Sequence, residues 1–258
     1  MKYGRTILAV AVAATLLLMA APQAAEAEFI PPGLRLKIGH PSQHGHGPPD
    51  WLNPPGHCIA GVGHKFRFQD TIEIDGLLIE LDIEADADPY INASLTIQNT
   101  TGEDQIISQS FQLDIDPVII GRSLTGGSIS INLMDRGDDG ALLTSIDDST
   151  PIYMSKIDGN YFKELMEAEV NFTAPAADLE TFGPERFGPT PGVPTVLGPA
   201  VNDTIGIDIN AVLSAGDEVN IFARFVVIQD PTIPEPGTMA LLAIGGASLL
   251  ARRKRRRA

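Results

Sequence analysis

The stretch LIELDIEADADP, Leu78 to Pro89, alternates without a break. Ile79, Leu81, Ile83, Ala85 and Ala87 are apolar, and Glu80, Asp82, Glu84, Asp86 and Asp88 between them are carboxylates. A period of two belongs to a strand with one buried and one wet face, because successive side chains of an extended chain point to opposite sides. The acidic face reads as an exposed strand surface whose charge blunts edge pairing. Just upstream, in TIEIDGLLI, Asp75-Gly76 separates two apolar runs, the pattern of a two-residue hairpin turn.

The same signal recurs along the chain. Strands are expected in INASLTIQNTTG (91–102), QIISQSFQLDI (105–115), SISINLMD (128–135), TIGIDINAVL (204–213) and VNIFARFVVI (219–228). Turns are expected at Thr101-Gly102, Gly126-Gly127, Gly137 to Gly140 and Ser214 to Asp217. Residues 65–230 are therefore predicted to form an all-β domain, an antiparallel β-sandwich. Two paired segments, 95–115 and 209–227, look like strands of an immunoglobulin-like sandwich, a likeness of fold alone. One short helix is expected over Asn160 to Phe172, where Phe162, Leu165, Met166 and Val170 recur at helical spacing behind Asn160 as cap. Gly183 to Pro199 carries five prolines and reads as a long loop.

Residues 28–64 are rich in Pro, Gly and His without clear periodicity, and they read as an irregular arm dispensable for folding. The whole chain has 258 residues and a formal charge of −15, with its cations concentrated at the ends. Residues 28–233 hold ten Lys/Arg against thirty-one Asp/Glu, a surface that repels nucleic acid and favours cations, basic partners or solubility. Cys58 is the single cysteine, so no intramolecular disulfide forms and stability rests on the core.

The two ends address the chain. Residues 1–27 place Lys2 and Arg5 before an apolar run and close on Ala25-Glu26-Ala27, the order of a secretory signal peptide cleaved by signal peptidase after Ala27. At the other end, Pro234-Glu235-Pro236 precedes fifteen apolar or small residues, 237–251, and then a basic tail, 252–258, that contains Arg252, Arg253, Lys254, Arg255, Arg256 and Arg257. As a helix the apolar run reaches only ~22 Å, short of a hydrocarbon core of roughly 30 Å. Snorkelling cations lengthen it and hold the end on the cytoplasmic side.

These parts, in this order over residues 234–258, closely resemble the PEP-CTERM sorting signal of Gram-negative and related bacteria. The resemblance implies that an exosortase, a membrane cysteine transpeptidase, recognises Pro234, Glu235 and Pro236 and removes the tail. The chain would sit in the membrane through its C-terminal helix before processing, and then at the cell surface or outside the cell. Members typically come from bacteria that make exopolysaccharide, which implies a role in biofilm, matrix or envelope, with exopolysaccharide or matrix proteins as partners.

Candidate chemistry is sparse. His40, His44, His46, His57 and His64 share a window of twenty-five residues with Cys58, a set of zinc or copper ligand types that lacks the paired spacing of a rigid site. DRGDDG, with Asp135, Asp138 and Asp139, resembles the opening of a calcium loop, but Gly137 and Ile146 stand where EF-hand ligands belong. A calcium site built from the loops at 135–139 and 147–148 is the alternative to a solvated acidic turn. No cofactor is expected, and calcium is the one that such loops could take. No G-x-S-x-G, H-E-x-x-H or P-loop is present. Trp51 and the four tyrosines do not line one strand as a carbohydrate platform would. The expected function is a non-enzymatic, structural or adhesive surface protein. A metal-dependent binding module and a polysaccharide-active enzyme are the alternatives.

Overall fold

The computed structural model describes residues 34–39, 57–60, 65–86, 89–167, 169–189 and 194–232. The signal segment 1–27, the sorting tail 234–258 and His40, His44, His46 and His64 lie outside the described residues. In chain order the strands begin with β1 (Leu34–Gly39), β2 (His57–Ala60), β3 (Lys65–Ile74), β4 (Leu77–Asp86) and β5 (Tyr90–Asn99). Next come β6 (Gln105–Asp114), β7 (Ser123–Met134), β8 (Ala141–Thr144), β9 (Tyr153–Ile157) and β10 (Asn160–Leu165). The last five are β11 (Asn171–Ala174), β12 (Leu179–Phe187), β13 (Val196–Gly198), β14 (Thr204–Leu213) and β15 (Glu218–Gln229).

These strands form two antiparallel sheets, and no helix occurs among the described residues. One sheet runs β1-β6-β14-β8-β11, with β9 also paired to β14 and β10 to β9. The other runs β12-β7-β15-β5-β4-β3-β2, with β13 also on β7. Alternation decides which side faces inward. On β4, Ile79, Leu81, Ile83 and Ala85 are buried while Glu80 and Glu84 are exposed. Register then lines up Leu81, Leu95, Ile221 and Ile131 across four adjacent strands, each at most 3% exposed. The facing sheet contributes Phe111, Ile205, Ile207 and Ile209 to the same core. Each such side chain stabilises the fold by about 1.5–3 kcal/mol on burial. Between the sheets, the buried Tyr153 of β9 donates its hydroxyl to the carbonyl of Arg224 on β15 at 2.9 Å.

Asp75-Gly76 is the expected hairpin, with both residues at positive φ (49° and 80°) as a type I′ turn requires. Asp158-Gly159 repeats it with φ of 49° and 76°. That second turn overturns the helix expected over Asn160 to Phe172, because the chain reverses and continues as β10 and β11. The helical spacing has a specific cause: the register shifts between Tyr161 and Lys163, so Phe162 is an extra residue. A bulge of that kind puts inward-packing Phe162 and buried Leu165 three positions apart instead of two.

Four further expectations are corrected. Gly183 to Pro199 is not one loop: β12 and β13 both pair with β7, and Pro184 falls in the register gap between Phe182 and Glu185, where no ladder donor is needed. Gly126-Gly127 is no turn but the middle of β7. The arm is not wholly irregular, since Leu34–Gly39 pairs with β6 and His57–Ala60 with β3, each at a sheet edge. LRLKIG does alternate, but over six residues between prolines the signal is brief. The acidic β4 lies inside its sheet between β3 and β5, so its charges guard no edge.

The immunoglobulin-like order is also corrected. In that fold the last strand closes a sheet edge, whereas here β14 is inserted between β6 and the β8/β9 segment, and β15 between β5 and β7. Late strands entering the middle of both sheets are the arrangement of a jelly roll.

Gly127 shows why glycine stands within β7. An added Cβ would lie 2.4 Å from the Phe187 ring and 2.9 Å from the Tyr153 hydroxyl, in the cluster where Phe162, Phe187 and Phe225 meet. Gly127→Ala should cost about 1–3 kcal/mol in urea unfolding. Gly102→Ala, with nothing within 4 Å of its added Cβ, should change stability by less than about 0.5 kcal/mol.

Candidate functional site

Strands that pass from one sheet to the other need corners, and several corners meet at one end of the domain. Asn99, fully buried at the end of β5, ties two of them together. Its Nδ2 donates to the carbonyls of Glu103 (2.8 Å), Ser214 (2.9 Å) and Leu213 (3.2 Å), and its Oδ1 accepts from the Thr101 amide at 3.0 Å. Its own amide donates to the carbonyl of Asp217 at 2.8 Å. The β5–β6 corner is thus fastened to the β14–β15 corner.

At this end, carboxylate oxygens of Asp135, Asp139 and Asp217 lie within 4.8 Å of one another. Asp135, 5% exposed at the end of β7, accepts the Gly137 amide on Oδ1 (2.9 Å) and the Ala177 amide on Oδ2 (2.6 Å). It therefore pins the β11–β12 loop. Asp217, fully buried, accepts the Arg136 amide on Oδ1 at 3.2 Å and the Ser214 hydroxyl on Oδ2. Asp139 is exposed and closes the group from the solvent side.

Asp135 and Asp139 are thus brought together as the sequence suggests. Asp138, at φ 64°, is exposed and stands outside the group. The expected partner loop at 147–148 is not the one that joins. Asp147 instead accepts the Ser149 amide (2.8 Å) and the Thr150 hydroxyl (3.0 Å) within its own turn. The third carboxylate is Asp217, which sequence reasoning read only as the end of a turn. Nothing in local spacing relates it to Asp135, eighty-two positions earlier. Its one local signal is an acid at the end of a Ser-Ala-Gly-Asp corner between two strong strands. His57 and Cys58 occupy successive positions of β2, opposite Gln69 and Phe68.

The three carboxylates differ electrostatically. The Ala177 amide, joined by those of Gly137 and Gly140, holds the Asp135 carboxyl below the usual carboxylate range. Burial pushes the Asp217 carboxyl up, and the proximity of Asp135 adds to the rise. Two adjacent buried carboxyls with opposed shifts can share one proton or hold one hard cation between oxygen ligands.

The sign of the pH dependence follows. Asp135, lowered on folding, contributes stability at neutral pH that is lost as pH falls through its folded value. Asp217, raised on folding, contributes stability at low pH that is lost as pH rises through its folded value. In EDTA, the melting temperature of Asp217→Asn minus that of the wild type should therefore be more positive at pH 7 than at pH 4. A difference that stays flat or shrinks with rising pH would contradict the assignment.

A family model described as the PEP-CTERM protein-sorting motif matches residues 232–257. No curated protein matches the chain. The C-terminal tail is thus a PEP-CTERM sorting motif, and it implies an exported protein that is processed by an exosortase and membrane-anchored through that tail.

Proposed function

We propose that this chain is a structural or adhesive component of the bacterial surface or extracellular matrix, delivered by its sorting tail and acting through its β domain without catalysis. The tail carries the reading, because a discarded hydrophobic address is needed only by a protein that works outside the membrane. The acidic body supports it. Its surface stays soluble once released, and the sequence carries no motif for an activated nucleophile. Replacing Pro234, Glu235 and Pro236 with alanine should leave the tail attached and the protein in the membrane fraction. Mass spectrometry of the C-terminus reads this directly, and normal processing of the variant would overturn the exosortase route.

The convergence of Asp135, Asp139 and Asp217 favours a second reading, in which the released domain is stapled by calcium at its corner loops. Oxygen ligands from two loops suit a hard, flexible coordination sphere, and extracellular modules of this kind bind with Kd of about 10⁻⁴ to 10⁻³ M. Calorimetric titration should show one calcium site in that range, absent in Asp217→Asn. Calcium should also raise the melting temperature of the wild type alone. Equal responses of the two proteins would exclude this site.

A further inference from the structure

The wet face of the eight-stranded sheet is ordered in rows. Antiparallel partners share a face, so register sets side chains side by side across the strands. One row runs Arg67, Glu84, Asn92, Arg224 and Ser128, from β3 to β7. The next row holds Asp82, Ser94, Phe222 and Ser130. A third holds Glu80, Thr96, Asn220 and Asn132. The middle row is the low one: serines flank Phe222 on both sides, so its ring, 47% exposed on a central strand, is uncovered. A depression of about 530 Å³ lies along it. With strands ~4.8 Å apart, the trough from β3 to β7 is about 19 Å long.

Charge and hydrogen bonding narrow the occupant. Arg67 and Arg224 face Asp82 and Glu84 at the trough, a locally balanced patch on a chain of net charge −15. Such balance disfavours both polyanions and polycations. Arg67 Nε donates to Asp82 Oδ1 at 2.7 Å, and the Tyr90 hydroxyl donates to Glu84, which holds the wall in place. Arg224 Nε, however, is buried without a hydrogen-bond partner. Strand backbones here are spent on the sheet, so an extended peptide could not add by strand pairing. The opposite sheet has a depression too, but there Ser110 and Lys156 both engage Asp208, and Ser108 engages Asn210.

We propose that this face binds a neutral polysaccharide chain lying across the strands. Phe222 stacks against the apolar face of one sugar ring, while Asn92, Arg224 and the serines hydrogen-bond its hydroxyls. A sugar ring combines one apolar face with a rim of donors and acceptors, which is the pattern of a single aromatic among amides, hydroxyls and a guanidinium. The proposal deepens the adhesive reading above but does not depend on the sorting route, since binding is read on the purified chain.

Affinity electrophoresis of the full chain in detergent tests it, with gels containing hydroxyethylcellulose, xylan, galactomannan or dextran, and alginate as the acidic comparator. At least one neutral polymer should retard the wild type. Phe222→Ala and Arg224→Ala should each weaken that retardation at least tenfold, while Tyr161→Ala, on the other sheet, should leave it unchanged. Ser94→Gln, whose longer side chain fills the trough beside Phe222, should also abolish it, so a folding defect in one variant does not end the test. The proposal is overturned by no retardation on any neutral polymer, by retardation on alginate alone, or by retardation indifferent to Phe222, Arg224 and Ser94. Loss of sorting in the Pro-Glu-Pro variant, with binding intact, would separate the two claims.

Discussion

The structure depends on where its last two strands go. β14 adds ten residues of ladder against β6 and also pairs with β9 and β8, while β15 does the same between β5 and β7. Each sheet is therefore completed from its middle by the end of the domain. Until β14 and β15 arrive, β5, β6 and β7 each have an open side, and Ile205, Ile207, Ile221 and Phe225 are missing from the core. Such pairings are distant in sequence, so the ordering entropy is spent before the contacts that offset it are made.

That constraint explains the polar chemistry at one end. A corner between β14 and β15 must cross from sheet to sheet, and its backbone groups are buried against other corners. Asn99 donates to the Leu213 and Ser214 carbonyls of that corner, and Asp217 accepts the Arg136 amide of the neighbouring one. Burying a carboxylate is costly unless it is paired or neutralised. The upward shift of Asp217 beside a depressed Asp135 expresses that cost. A shared proton, or a cation bound between the two, would relieve it. The corner that closes the sandwich is thus also the place where charge is concentrated.

The two outer faces carry different loads. On the seven-stranded sheet, polar side chains are largely engaged with one another, as where Lys156 and Ser110 both engage Asp208. On the eight-stranded sheet, serines beside Phe222 leave room over an exposed ring. A sorting tail that acts as an address puts no demand on either face, so the two faces are free to differ in shape and polarity.

Much was legible in the amino-acid order because strands report themselves locally. The period of two in β4, β5, β6, β14 and β15 and the Asp75-Gly76 turn follow from one residue and its near neighbours, and so does the Pro-Glu-Pro tail with its apolar run and cations. Local pattern also misled. A bulge at Phe162 counterfeits helical spacing, and Gly126-Gly127 imitates a turn although Gly127 is small to admit Phe187 and Tyr153. What only the tertiary structure decided is adjacency across distance: Asp217 beside Asp135, Phe222 between Ser94 and Ser130, and late strands inside both sheets. The physical reason is that periodicity encodes which face of a strand is wet, whereas its neighbours are chosen by the packing of the whole core.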